Sequence, residues 1–220
     1  MVAIKKQSLA DKAYHKLLRR ILSGKIAEGE RIVIDRVAKE FAISLIPVRE
    51  ALARLNAQGM VEYVANKGYQ VINAPTKKDY DELLSARLSM EYGALHIGFD
   101  NVDDKFVAKL EELNTALKQI SHTEPNKVFD QFVKYNDAFH LAIISLSRST
   151  PLINAYDKLG YGPQLGRRMY HTGVPDLQNN IAEHQVIIDA LKARDQLAAL
   201  DALDNHNRSG LTRFKSNFED

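Results

Sequence analysis

Four residues in the C-terminal half have the types and spacing to hold a metal ion. Asn136 and His140 lie four apart in YNDAFHLAII, a strongly helical segment, so both side chains project from one helix face. His184 lies in EHQVIIDAL and His206 in LDNHNRSG, each on a later predicted helix. Imidazoles drawn from separate helices are how bundles build internal metal sites. The chain has no cysteine, so thiolate ligands are excluded, and imidazole suits zinc, nickel, copper, cobalt or iron. Most single histidines are structural or exposed. That plain reading stands for His15, His96, His122 and His171, although His171, in RRMYHTGV, is an extra candidate with no motif behind it.

A second chemical candidate is Arg87, in LLSARLSMEYGAL, with Leu83, Leu84, Leu88 and Met90 around it. An arginine in such an apolar run either snorkels to an edge or is committed to an anion. A plain alternative is an ion pair with Glu91, four residues on along the same face.

A third candidate set lies near the N-terminus. In ISLIPVREALARLNAQGMVEYVANKGYQV, Arg49 sits about 100° round the helix from Val48 and flanks the apolar stripe Val48, Leu52, Leu55. There it can reach paired acceptors on guanine or a phosphate. Arg54 and Lys39 are candidate phosphate contacts. Lys67 and Gly68 fall at the tip of a predicted hairpin and suit a DNA groove, with charge from one and close backbone approach from the other. For Arg49 the plain alternative is a salt bridge to Glu40 or Glu50.

These residues need elements to position them. Helical periodicity runs from Leu9 to about Leu22, with Ala13, Leu17, Leu18 and Ile21 on one stripe, and Ser23-Gly24 ends it. Gly29 to Ile34 reads as a turn and a short strand. A second helix covers roughly 35–41. Ser44 is a natural N-cap for a third, with Pro47 in its first turn and Gly59 as its stop. Residues 61–64 and 69–72 alternate as paired strands, joined by Ala65-Asn66-Lys67-Gly68. Three helices and a two-stranded wing in this order form the winged helix-turn-helix plan, whose second paired helix enters the major groove.

Asn73-Ala74-Pro75-Thr76 breaks the pattern and predicts a boundary: a winged helix-turn-helix domain over 1–75 and an all-helical bundle over 76–220. Beyond it the pattern is helical, over about 77–98, 103–121, 126–147, 151–170, 178–194 and 196–216, with Thr76 and Asp79 able to cap the first. The fold class is therefore mainly α. Charge divides at the same place. Residues 1–75 carry 13 Lys+Arg against 7 Asp+Glu, net +6, and the remainder 17 against 21, net −4. A basic third beside an acidic remainder fits one part meeting a polyanion. Without cysteine, an 18-residue apolar run or a signal-peptide core, the expectation is a cytoplasmic protein without disulfides.

The run Ser44-Leu45-Ile46-Pro47-Val48-Arg49-Glu50-Ala51-Leu52, then Arg54-Leu55 and Gly59-Met60-Val61, resembles the GntR-type regulator signature S-R-T-P-V-R-E-A-L…R-L…G-L-V. Ile26 to Ile32 resembles that family's entry into its second helix, and Lys67-Gly68 to Val71 its wing. The resemblance covers residues 8–72 and implies operator binding through Ser44, Leu45, Ile46 and Arg49. Leu45 and Ile46 replace the family's usual Arg and Thr, so readout there should differ, with thymine methyls as the fitting partner.

The helical half resembles the FCD ligand-binding domain of the FadR subfamily. Its signature of Asp/Asn-x-x-x-His, a later E-H and a final His falls on Asn136, His140, Glu183-His184 and His206. The resemblance implies a divalent metal ion, zinc first, with nickel, manganese, cobalt or iron as alternatives. It also implies a cavity for a small carboxylate effector, with Arg87 as its clamp. Asn136 stands where Asp is more frequent, and a neutral amide leaves the metal's charge uncompensated.

Three functional readings are open to these residues. The first is a homodimeric transcription regulator that binds a pseudo-palindromic operator under control of a carboxylate. The second is a metal-dependent enzyme acting on a small organic acid, with Glu183 as its best general base; no HExxH motif supports it. The third is a plain interaction bundle with structural histidines.

Overall fold

The computed structural model describes residues 8–120, 125–160, 163 and 177–215. It divides into two compact units, Met1–Ala74 and Pro75–Asp220.

In the first unit, α1 (Leu9–Leu22) opens on a capping box in which Ser8 and Asp11 satisfy each other's backbone N–H groups. Its stripe of Ala13, Tyr14, Leu17, Ile21 and Leu22 is buried. After β1 (Arg31–Ile32), α2 (Ile34–Phe41) ends at Ala42 in the left-handed region, φ 54°. Then α3 (Leu45–Ala57) buries Val48, Ala51, Leu52 and Leu55. Strands β2 (Val61–Val64) and β3 (Gly68–Val71) pair antiparallel, Val61 opposite Val71 and Tyr63 opposite Tyr69. The order β1-β3-β2 makes the wing part of a three-stranded sheet. Asn66 (φ 63°) and Gly68 (φ 82°) turn the hairpin, a task that suits asparagine and glycine.

Ser44 occupies the N-cap position of α3 without the expected side-chain hydrogen bond. An N-cap hydroxyl accepts from the second or third N–H of the helix. Here the third residue is Pro47, which has none. The exposed hydroxyl is left available to another partner.

The second unit opens with α4 (Lys77–Gly98), capped by Thr76 and Asp79 as its sequence implies. There follow a short 3-10 turn, α5 (Asp104–Lys118), α6 (Pro125–Ser145), α7 (Thr150–Lys158), α8 (Leu177–Lys192) and α9 (Gln196–Lys215). Helices α4, α6, α5, α8 and α9 each pack on the next, and α9 returns to α4, so five helices ring one core. Leu95, Leu110, Phe139, Ile143, Ile187, Ile188, Leu191 and Leu203 fill it. The end of α4 crosses the end of α6 so closely that a Cβ on Gly98 would lie 2.3 Å from the Leu146 carbonyl. α7 leans on α4 and α6 and stops at Lys158; of the predicted 151–170, residues 161–162 and 164–170 lie outside the described residues. Gly160, at φ 59°, provides a left-handed stop to α7.

Candidate metal centre and nucleic-acid surface

The inner faces of α6, α8 and α9 bring His140, His184 and His206 together, all buried. One ring nitrogen from each lies within 4.8 Å of the others. Ring centroids stand 5.3 Å (140–184), 5.1 Å (140–206) and 4.7 Å (184–206) apart. Burial pushes all three imidazoles below their ordinary value, His140 to about 3, so each ring is neutral near pH 7.

Two carboxylates set how those neutral rings face. His140 Nδ1 is 3.0 Å from Glu91 Oε2, and His206 Nδ1 is 2.8 Å from Glu183 Oε2. A carboxylate only accepts, so each ring donates its single N–H outward. The two Nε2 lone pairs then face each other across 3.2 Å. His184 lies flat on Phe139, centroids 3.9 Å apart at 4°, and neither of its buried nitrogens has a hydrogen-bond partner. One turn before His140 on α6, Asn136 is also buried, and its Oδ1 likewise has no partner. Buried polar atoms are almost always satisfied, so orphaned acceptors beside confronting lone pairs fit a cation. A metal ion would be held by His140, His184 and His206, with the Asn136 amide oxygen on the adjoining turn.

Glu91 is the buried centre of a second group. Arg87 Nε donates to its Oε1 at 2.7 Å, and Tyr156 OH donates to the same oxygen at 2.6 Å. Asn207 Nδ2 donates to Oε2 at 3.0 Å. Burial opposes the charge on Glu91, but Arg87 and His140 outweigh it and hold the carboxyl well below its usual range. Asp137 is raised to about 6, chiefly by burial, with Arg87 opposing. The Arg87–Glu91 ion pair, the plain alternative to an anion clamp, is present. Spacing gave no sign that the same glutamate reaches α6, α7 and α9, or that Tyr156 and Asn207 join it. His171 and His122 lie outside the described residues, and His15 and His96 are exposed.

On the first unit, Arg49 is exposed on α3, and Glu40, one of its candidate partners, is bound to Arg20 instead. Leu45 is 38% and Ile46 68% exposed at the start of the same helix. Lys39, Ser44 and Leu45 line a shallow open depression between α2 and α3. Lys67 is exposed at the hairpin turn, beside Gly68. Arg54 is engaged within the unit: its guanidinium lies 4.0 Å over the Tyr14 ring and 3.5 Å from Asp11. Its partners on α1, 40 and 43 residues away, could not be read from local spacing.

Comparison with known proteins agrees with both halves. Residues 9–71 match the family described as bacterial regulatory proteins, gntR family, and residues 82–209 match the FCD domain. The chain is 28% identical over 190 residues to the uncharacterized HTH-type transcriptional regulator YdhC of Bacillus subtilis, covering 84% of this chain and 82% of that one. It is 26% identical over 198 residues to the gluconate operon transcriptional repressor of Bacillus licheniformis, covering 85% and 77%. Among solved structures, E. coli McbR/YncC shares the fold with a TM-score of 0.75 at 22% identity, over 96% of this chain and 99% of that one. No described helix is long and apolar enough to cross a membrane. With a winged helix-turn-helix unit followed by an FCD domain, this chain belongs to the GntR family: it is a DNA-binding transcriptional regulator and not an enzyme.

Proposed function

We propose that the helical unit holds one divalent metal ion, zinc first, on His140, His184 and His206, with Asn136 as a further donor. A small carboxylate effector binds there, with Arg87 as its clamp, and shifts the affinity of a homodimer for its operator. The observation that carries this reading is the 3.2 Å approach of two Nε2 lone pairs whose rings have already spent their protons on Glu91 and Glu183. A divalent ion supplies a fixed positive charge to which an anion can bind. Four neutral donors leave that charge unbalanced, which favours an anionic ligand over a neutral one. The relative named for a gluconate operon is consistent with a carboxylate effector, and the compartment is the cytoplasm.

On DNA, α3 is the element for the major groove. Arg49 is the base-reading cation, Ser44 offers its uncapped hydroxyl, and Leu45 and Ile46 offer apolar contact. Lys39, Lys67 and the Gly68 backbone are the phosphate and groove contacts. Arg54 reaches a phosphate only by leaving Tyr14 and Asp11. The domain boundary is assigned at residue 75, and the operator is a short pseudo-palindrome matching a two-fold dimer.

Metal analysis of protein purified without a nickel column tests the site. About one zinc per chain is expected, falling to background in His184→Ala. Metal-free native protein with unchanged His184→Ala behaviour would overturn the metal reading.

A further inference from the structure

We propose that Glu91 is the positioning residue of the metal centre: through Oε2 it fixes which nitrogen of His140 faces the other two histidines. This rests on the metal reading above and assigns a role to a residue outside the ligand set.

Three observations carry it. Glu91 Oε2 is bound to His140 Nδ1 at 3.0 Å, on the opposite side of the ring from the Nε2 atom that meets His206. Glu91 is therefore behind the ligand, where a carboxylate fixes the tautomer and raises the basicity of the far nitrogen. It is fully buried and does not itself belong to the group of converging ligand atoms. Its position is also over-determined. Arg87 and Tyr156 hold Oε1 while Asn207 shares Oε2 with His140, so donors from α4, α6, α7 and α9 fix the carboxylate in place. A buried carboxylate held by so many donors has little freedom to reorient, and that rigidity passes to the imidazole.

His206 has a comparable partner in Glu183, which is part-exposed and on the neighbouring helix α8. His184 has no carboxylate among the described residues and is held by the flat face of Phe139. The centre therefore has one rigid, deeply buried orienter, and it is Glu91.

The test is zinc affinity by competition with a chromophoric chelator, on the full chain. The variants are Glu91→Gln, which removes the charge, and Glu91→Asp, which keeps a charge for Arg87 but withdraws it from His140. Loss of an outer-shell partner typically weakens metal binding about 10- to 100-fold, and that loss is expected for both variants. The absorption bands of cobalt in the site should shift in intensity or position in both, a change that a merely structural role would not produce. If Glu91→Gln fails to fold, Glu91→Asp decides alone. Zinc affinity within about twofold of the native chain and an unchanged cobalt spectrum, in a folded variant, would overturn the proposal while leaving the metal site standing. A native chain that binds no zinc would instead overturn the reading on which the proposal rests.

Discussion

The Nε2 atoms of His140 and His206 stand 3.2 Å apart, while the Nδ1 atom of each ring is bound to its own carboxylate. A neutral imidazole has one N–H, and here both are spent outward. The histidines are thus arranged to share a cation, and thermal stability should report it. At a zinc concentration of 100 times Kd, binding adds about 2.7 kcal/mol to stability. The native chain should melt several degrees lower after chelation, and His206→Ala should not respond to the chelator. Equal melting of the native chain with and without chelator would argue against a cation there.

In metal-free protein the same burial makes a pH prediction. His140, His184 and His206 are all held below their ordinary value by burial, His140 to about 3. Below about pH 6.5 the unfolded chain takes up protons that the folded chain refuses, so stability is lost as pH falls. Asp137, raised to about 6, works in the opposite direction as the folded state gains its proton first, but it is one group against three. Chelated protein should therefore melt lower at pH 5.5 than at pH 7.5, with His140 alone contributing on the order of 1 kcal/mol. An equal or higher melting point at pH 5.5 would contradict the burial of neutral imidazoles.

For the operator, Arg49→Ala should weaken specific binding by about 1–3 kcal/mol, measured by fluorescence anisotropy on a duplex selected from a random pool. Affinity should fall steeply with salt, because phosphate contacts dominate. Unchanged affinity would remove Arg49 from the reading surface.

Ile46 makes a more particular prediction, since an isoleucine 68% exposed at the start of a major-groove helix suits a thymine methyl. Replacing the relevant operator thymine with uracil should cost about 0.8 kcal/mol, the worth of one buried methyl. In Ile46→Ala the same replacement should cost nothing. A uracil effect that persists in the variant would assign the methyl contact elsewhere.

Much of this was legible in the sequence because it is local. Stripes at helical spacing located α1 and α3, and of the residues they name all but Leu18 are buried. Four-residue spacing joined Asn136 to His140 and Arg87 to Glu91. The meeting of His140, His184 and His206 came from the family pattern, since nothing local links residues on three helices. What stayed hidden was long-range and polar. Glu91 receives Tyr156 and Asn207 from helices far along the chain, and Arg54 lies over Tyr14 of α1. Such contacts leave no periodic trace. The missing cap on Ser44 was readable in principle, because Pro47 stands where the donor would be.

A carboxylate bound at the metal centre should change operator binding. The direct measurement is operator affinity by anisotropy for zinc-loaded protein, with and without a small mono- or dicarboxylate that raises its melting temperature. A change of about 5- to 150-fold is expected, abolished by chelator and in His184→Ala. Operator affinity that ignores every stabilising carboxylate, or a response that survives chelation, would contradict it.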